Sequence, residues 1–157
     1  MKIIIASDHA GFGYKALLMK YLREKGQEVL DMGSFNEVPS DYPDHAADVA
    51  NALLQHKGEK AIIICGSGVG VSVAANKFKG IRAGVCHDTY SAHQCVEHDN
   101  VNVLCLGQRV IGNALACEIV DAFINAQFVK NERYQRRLKK ILEIEDLNMR
   151  DGITDME

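Results

Sequence analysis

The hexapeptide CGSGVG at positions 65–70 combines a thiol with three glycines at alternate positions. It follows the apolar run AIIIC, which is typical of a buried strand, and precedes VSVAANK, which is typical of a helix. Glycines at such a junction leave bare amides at a helix N-terminus, where a phosphate or a reaction oxyanion can bind. The hexapeptide therefore predicts an anion-binding loop, with a tight strand-to-helix turn as the structural alternative.

The glycines Gly66, Gly68 and Gly70 also invite comparison with dinucleotide-binding loops. The pattern is one residue short of that fingerprint, and it follows the third predicted strand, not the first. No dedicated acidic residue ends a following strand where a ribose hydroxyl would need it. A smaller anion than a dinucleotide is favoured.

The thiol of Cys65 opens this loop, and amide dipoles at a helix N-terminus favour a thiolate. Buried cysteines on strands are also common, and Cys86 and Cys105 at similar strand ends are predicted to be structural. From the pattern alone, a catalytic and a structural role fit Cys65 equally well.

Asp8 and His9 follow the first predicted strand. Asp is a good helix N-cap, but two adjacent titratable groups at a strand end favour a role in general acid–base catalysis. His87 and Asp88 follow the fourth strand in the same way, farther from the expected site.

Arg133 and Arg137 lie four residues apart on the last predicted helix and so share one face. Like charges at this spacing repel, and the macrodipole disfavours cations in the first half of a helix. An anion between the two guanidinium groups would remove both penalties. The alternative is a solvated basic face that includes Lys139 and Lys140.

Apolar β-rich runs alternate with helical patterns along the chain, which predicts βαβ units and a parallel sheet with right-handed crossovers. The predicted strands are 2–7, 28–33, 60–65, 82–86 and 101–107, and the predicted helices are 14–25, 44–56, 69–77, 90–97, 113–126 and 131–148. We expect one three-layer, doubly wound (Rossmann-like) α/β domain over 1–148, with a long C-terminal helix and a frayed tail over 149–157.

Five strands favour the order 2-1-3-4-5, in which ligands bind at the carboxyl ends of strands 1 and 3. Those ends carry Ser7, Asp8 and His9 on one side and the glycine loop on the other. The two stretches richest in reactive groups are thus expected to meet.

Composition excludes several other classes of protein. The 157 residues are 47% apolar and 25% charged with a net charge of −3, so nucleic acid is not an expected partner. No apolar run is long enough for a signal peptide or a membrane span. The five cysteines form no CxxC pair, which favours reduced thiols in the cytoplasm over disulfides or structural zinc.

In order along the chain, SDHAG (7–11), DYP (41–43), CGSGVG (65–70), AANKFKGIRA (74–83), EHDNVNVLCLGQRV (97–110) and AFINAQF (122–128) resemble the ribose-5-phosphate isomerase B family, which includes galactose-6-phosphate isomerase subunits. The resemblance implies reversible conversion of an aldose phosphate to a ketose phosphate, with no metal or organic cofactor.

The resemblance also implies a role for particular residues. Cys65 matches the base that moves the proton between C1 and C2, and Asp8 and His98 match the pair that opens the sugar ring. Ser67 and the loop amides of Gly66, Gly68, Val69 and Gly70 match the anion hole for the enediolate. The matched phosphate ligands are His9, Arg109, Arg133 and Arg137, and Asn100 is a further substrate contact.

Two departures from the family pattern bear on the assignment. Ser67 stands where Thr is common, which keeps the hydroxyl, and Val71 stands where another branch has a glutamate base. Cys65 is then the only base candidate in the loop. His98, Asn100 and the arginine pair favour ribose 5-phosphate; the alternatives are allose 6-phosphate, galactose 6-phosphate, or a non-catalytic phosphosugar- or nucleotide-binding module.

The position of His98, taken with the ring-opening role that the resemblance implies for it, predicts a site shared between two subunits. His98 ends the helix between strands 4 and 5, and about eight residues at about 1.5 Å each carry it about 12 Å from the edge that holds Cys65. A two-fold symmetric homodimer would supply His98 from the partner. Dimers that pair into tetramers are also compatible with the sequence.

Overall fold

A computed structural model describes residues 1–149. Its strands are β1 (Lys2–Ser7), β2 (Glu28–Asp31), β3 (Lys60–Cys65), β4 (Ala83–Val85) and β5 (Val103–Gly107). Its α-helices are α1 (Phe12–Glu24), α2 (Tyr42–Leu54), α3 (Val69–Ala75), α4 (Thr89–Asp99), α5 (Asn113–Asn125) and α6 (Glu132–Asn148), and a 3₁₀ turn spans His9–Gly11. The tail predicted to fray lies outside the described residues, apart from Met149.

The five strands form one parallel sheet, and side chains from both of its faces enter separate apolar clusters. Leu18, Ala92 and Phe123 bring α1, α4 and α5 to one face. Val49 and Val71 bring α2 and α3 to the other. The predicted three-layer α/β architecture is confirmed.

The strand order is 2-1-3-5-4, so the predicted order 2-1-3-4-5 is wrong in its last two places. All five residues of β5 are buried, and β5 pairs with β3. The three residues of β4 are half-buried or exposed, which suits an edge strand. Since α4 lies on the same face as α1, a right-handed crossover from β4 must return toward β2, which places β5 inside β4.

The last helix packs against α4. Tyr134 is its only buried residue within the part of the chain that the structure describes, and the Tyr134 ring stacks on His98 with centroids 4.1 Å apart. Asn131 caps the helix by accepting the Tyr134 N–H at 2.9 Å. The contact joins the end of α4 to the start of α6.

Candidate active site

The glycine loop joins β3 to α3 at the carboxyl edge of the sheet. Gly68 has a φ of +81°, a left-handed conformation that side chains with a Cβ rarely adopt. A Cβ there would also lie 3.0 Å from the Leu106 backbone. The glycine requirement at this position is therefore conformational and steric together.

Cys65 lies at the start of this loop with its side chain turned toward the amides. The Gly68 N–H donates to the Cys65 Sγ at 3.0 Å, and Cys65 is 5% exposed. The carbonyl of Cys65 accepts from the Gln108 N–H at 2.9 Å. The sulfur is thus held in one position by its own loop and by the end of β5.

Asp8 and His9 face the glycine loop from the end of β1. Asp8 is buried and its Oδ1 accepts the Gly11 N–H at 3.0 Å, so it caps the 3₁₀ turn. His9 Nδ1 accepts the Ser40 N–H at 3.2 Å, which leaves the proton of a neutral imidazole on Nε2. That nitrogen can donate to an anion.

These groups line a cleft of about 570 Å³, which we call the thiol cleft. Its lining residues are Asp8, His9, Ala10, Tyr42, Cys65, Gly66, Ser67, Val69, Gly70, Arg109 and Val110. The switch-point prediction is confirmed in that the ends of β1 and β3 meet here. The Arg109 guanidinium lies over Gly66, about 3.4 Å from where a Cβ would stand.

Tyr42 and Ser40 were not singled out from the sequence as site residues. The Tyr42 ring packs over Gly70, where a Cβ would lie 2.8 Å from it. Helix α2 begins at Tyr42, with Pro43 in its first turn. Because α2 follows β2, its N-terminus had to lie at the carboxyl edge of the sheet. That reasoning could have placed Tyr42 in the cleft.

A second group of predicted residues lies elsewhere. His98, Arg133 and Tyr134, which we call the His98 cluster, join α4 to α6: the Arg133 guanidinium donates to the Tyr134 hydroxyl at 2.9 Å. Arg137 follows one turn later and is exposed, and Asn100 ends α4 with a φ of +53°. Within the described chain, the thiol cleft is lined by none of the four predicted residues of this group, which are His98, Asn100, Arg133 and Arg137.

His87 and Asp88 have structural partners. Asp88 Oδ1 accepts the Ser91 N–H at 2.7 Å, which caps α4 and lowers the pKa of Asp88. His87 Nε2 accepts the Gly107 N–H at 2.9 Å, and burial lowers the pKa of His87. Both residues make structural hydrogen bonds just after β4, and neither lines the thiol cleft.

Three other features of the described chain bear on the choice of site. A larger cleft of about 780 Å³ lies at the amino edge, but its lining is built around Lys2, His56 and Lys57 and includes no glycine loop. Among residues 1–149, no group of three or more His, Cys, Asp or Glu side chains is arranged to hold a metal ion. None of the described helices is long and apolar enough to span a bilayer.

Comparison with known proteins agrees with the resemblance seen in the sequence. Residues 3–141 match the family described as Ribose/Galactose Isomerase, and the chain belongs to that family. It is 45% identical over 144 residues to ribose-5-phosphate isomerase B of Escherichia coli, covering 92% of this chain and 96% of that protein.

A structure of ribose-5-phosphate isomerase B from Clostridium thermocellum matches with a TM-score of 0.91 at 44% identity, covering 94% of this chain and 99% of that one. Another relative is D-erythrulose-4-phosphate isomerase of Pectobacterium atrosepticum, 41% identical over 130 residues, which covers 82% of this chain and 85% of that protein. The chain is therefore similar to enzymes named for different sugar phosphates.

Proposed function

We propose that this protein interconverts ribose 5-phosphate and ribulose 5-phosphate through an enediolate, with Cys65 as the base. The observation that carries the proposal is a single cleft in which Cys65 lies beside a glycine loop and opposite Asp8 and His9. The relatives named as ribose-5-phosphate isomerase B support the choice of pentose.

The proton transfer uses the thiol and the loop together. Cys65 removes the proton from C2 of the open-chain aldose, the electrons form a C1–C2 double bond, and negative charge develops on O1. The amides of the glycine loop and the Ser67 hydroxyl stabilise that oxyanion. The thiol then returns the proton to C1 while the proton of the C2 hydroxyl moves to O1, which leaves a carbonyl at C2 and gives the ketose.

Ring opening and phosphate binding use the remaining predicted residues. One of Asp8 and His98 takes the proton of the anomeric hydroxyl while the other protonates the ring oxygen. His9 Nε2 and the guanidinium groups of Arg109, Arg133 and Arg137 hold the phosphate.

The thiol cleft and the His98 cluster come together in a symmetric homodimer. The thiol cleft opens at the carboxyl edge of the sheet, whereas α4 leaves that edge after β4 and ends before β5 begins, near the amino edge. A second copy related by a two-fold axis places its His98, Asn100, Arg133 and Arg137 at the first copy's cleft, and the reverse.

The decisive experiment is turnover of ribose 5-phosphate in the presence of EDTA, followed by detection of ribulose 5-phosphate. Parallel assays use allose 6-phosphate, galactose 6-phosphate and a four-carbon aldose phosphate, because the Pectobacterium relative is named for a four-carbon sugar. The highest kcat/KM is expected for ribose 5-phosphate. Faster turnover of another sugar would reassign the substrate, and stabilisation by ATP or NAD without turnover would favour a binding module.

A further inference from the structure

Two thiols outside the thiol cleft lie in contact. Cys86 directly follows β4 and Cys95 lies in the middle of α4, and their Sγ atoms are 3.8 Å apart. Both belong to the apolar cluster formed with α1, α4 and α5, whereas Cys65 belongs to the cluster on the other face of the sheet. The sheet therefore separates this pair from the proposed catalytic thiol.

The two sulfur atoms are not equivalent. The Cys86 S–H donates toward the Cys95 Sγ, and the Cys95 S–H donates to the Ala92 carbonyl at 3.3 Å. The contact between the two thiols lowers the pKa of Cys86 and raises that of Cys95. Cys86 is 4% exposed and Cys95 is half-buried, so a reactant must be small to reach Cys86. A thiol of lowered pKa with a second thiol in contact with it is placed as a nucleophile beside its own resolving group.

We propose that Cys86 and Cys95 form a redox pair that a peroxide converts to an intramolecular disulfide. The Cys86 sulfur attacks one peroxide oxygen and becomes a sulfenic acid, and the other oxygen leaves as water with a proton from the thiol. The Cys95 sulfur then attacks the Cys86 sulfur, the S–S bond forms, and the sulfenic oxygen leaves as a second water. Two thiols are oxidised by two electrons in total, and one peroxide is reduced.

The disulfide between Cys86 and Cys95 would displace part of α4. The two sulfur atoms must approach from 3.8 Å to about 2.05 Å, which draws the middle of α4 toward the end of β4. His98 lies one turn beyond Cys95, and its ring is stacked on Tyr134. Displacement of this turn disturbs the His98 cluster, so oxidation lowers turnover; this consequence rests on the proposed function, whereas formation of the bond does not.

Formation of the disulfide is tested in the Cys65→Ala variant, which lacks the thiol of the cleft. The protein is treated with hydrogen peroxide, the excess is destroyed with catalase, and the remaining thiols are alkylated after denaturation. Two of the four remaining cysteines should resist alkylation, and a reductant-sensitive peptide should link Cys86 to Cys95. Cys95→Ser should lose the linked peptide, and the matched control Cys117→Ser should keep it.

A different pairing, a linkage between chains, or Cys86 ending only as a sulfinic acid would overturn the proposal. The effect of the disulfide on α4 is measured separately, as the loss of turnover at equal peroxide doses. The wild type should lose several-fold more turnover than Cys95→Ser, and a thiol reductant should restore the difference. If the wild type forms the linked peptide but loses no more turnover than Cys95→Ser, the disulfide forms without acting on His98.

Discussion

Cys65 and Cys105 lie on neighbouring strands of the same sheet, but their sulfur atoms have different surroundings. Cys105 is fully buried, and burial raises its pKa, whereas Cys65 lines the cleft and accepts the Gly68 N–H. Replacing Cys65 by alanine should lower kcat by about 10²–10⁴-fold, the usual contribution of a general base. Calorimetry should still detect ribose 5-phosphate binding, and Cys105→Ala, the matched control, should keep its kcat.

Near-normal turnover by Cys65→Ala would remove the thiol from the mechanism.

Arg137 and Arg136 are adjacent on α6 but point about 100° apart around the helix axis. Arg136 pairs with Glu132 at 3.8 Å, whereas Arg137 follows Arg133 on the face of the His98 cluster. Arg137→Ala should raise KM about tenfold or more with less effect on kcat, because a charge-assisted hydrogen bond contributes about 1.5–3 kcal/mol. Arg136→Ala is the control, and equal KM changes for both variants would indicate a solvated basic face.

At the scale of elements, Lys60 ties the start of β3 to the end of α5. Its ammonium donates to the carbonyls of Phe123, Ile124 and Ala126 at 2.7, 3.4 and 2.7 Å. Burial lowers the pKa of Lys60 to about 8, so the group remains charged at neutral pH. Lys60→Met should lower the free energy of unfolding by about 1.5–3 kcal/mol, measured by urea denaturation.

The exposed Lys57 provides the control for Lys60. Lys57→Met should change stability by less than about 0.5 kcal/mol. A loss for Lys60→Met no larger than this would mean that water replaces the ammonium at the helix end.

His87 links the ends of β4 and β5 and should make stability depend on pH. Its Nε2 must be unprotonated to accept the Gly107 N–H, and burial lowers its pKa below the ordinary value of 6.5. The unfolded chain therefore takes up this proton first as the pH falls. The contribution of His87 to the free energy of unfolding is fully present above pH 6.5 and is lost as the pH falls from there through the folded-state pKa.

Replacing His87 by glutamine retains an acceptor for Gly107 and removes the titration. The free energy of unfolding of His87→Gln, measured between about pH 5 and 7.5, should therefore depend less on pH than that of the wild type. His56→Gln, a change at an exposed histidine, should leave the wild-type slope in place. The same slope in all three proteins would exclude His87 as its source.

The order of the elements was predictable because each strand and helix has its own hydrophobic period. The exchange of β4 and β5 was not, because strand order depends on which face of the sheet each helix covers. A hint was present: VLCLG is continuously apolar, as a central strand requires, whereas AGV is short and contains glycine.

The candidate site also has a part that could be predicted from the sequence and a part that could not. The place of Asp8 and Cys65 in the thiol cleft was predictable because Asp8 directly follows β1 and Cys65 ends β3, at the switch point of the sheet. The partners of Ser40 and His87 are residues distant in the sequence, so only the folded chain brings them together.

At the scale of the whole molecule, a parallel sheet has two distinct edges, and the predicted site residues are divided between them. Asp8, His9 and Cys65 lie at the carboxyl edge, and α4 carries His98 away from that edge to pack on Tyr134. One subunit cannot bring His98 to its own cleft without giving up that stacking. A ring-opening role for His98 therefore requires a second copy of the chain.

Mixing two inactive variants tests this arrangement. In a heterodimer of Cys65→Ala and His98→Asn subunits, one site carries both substitutions and the other carries neither. Refolding the two variants in equal amounts should give half heterodimers, each with one of its two sites intact, so about a quarter of wild-type activity should return. Each variant refolded alone is the control. Distinct affinity tags verify that heterodimers have formed. Heterodimers that stay inactive would show that Cys65 and His98 act within one subunit.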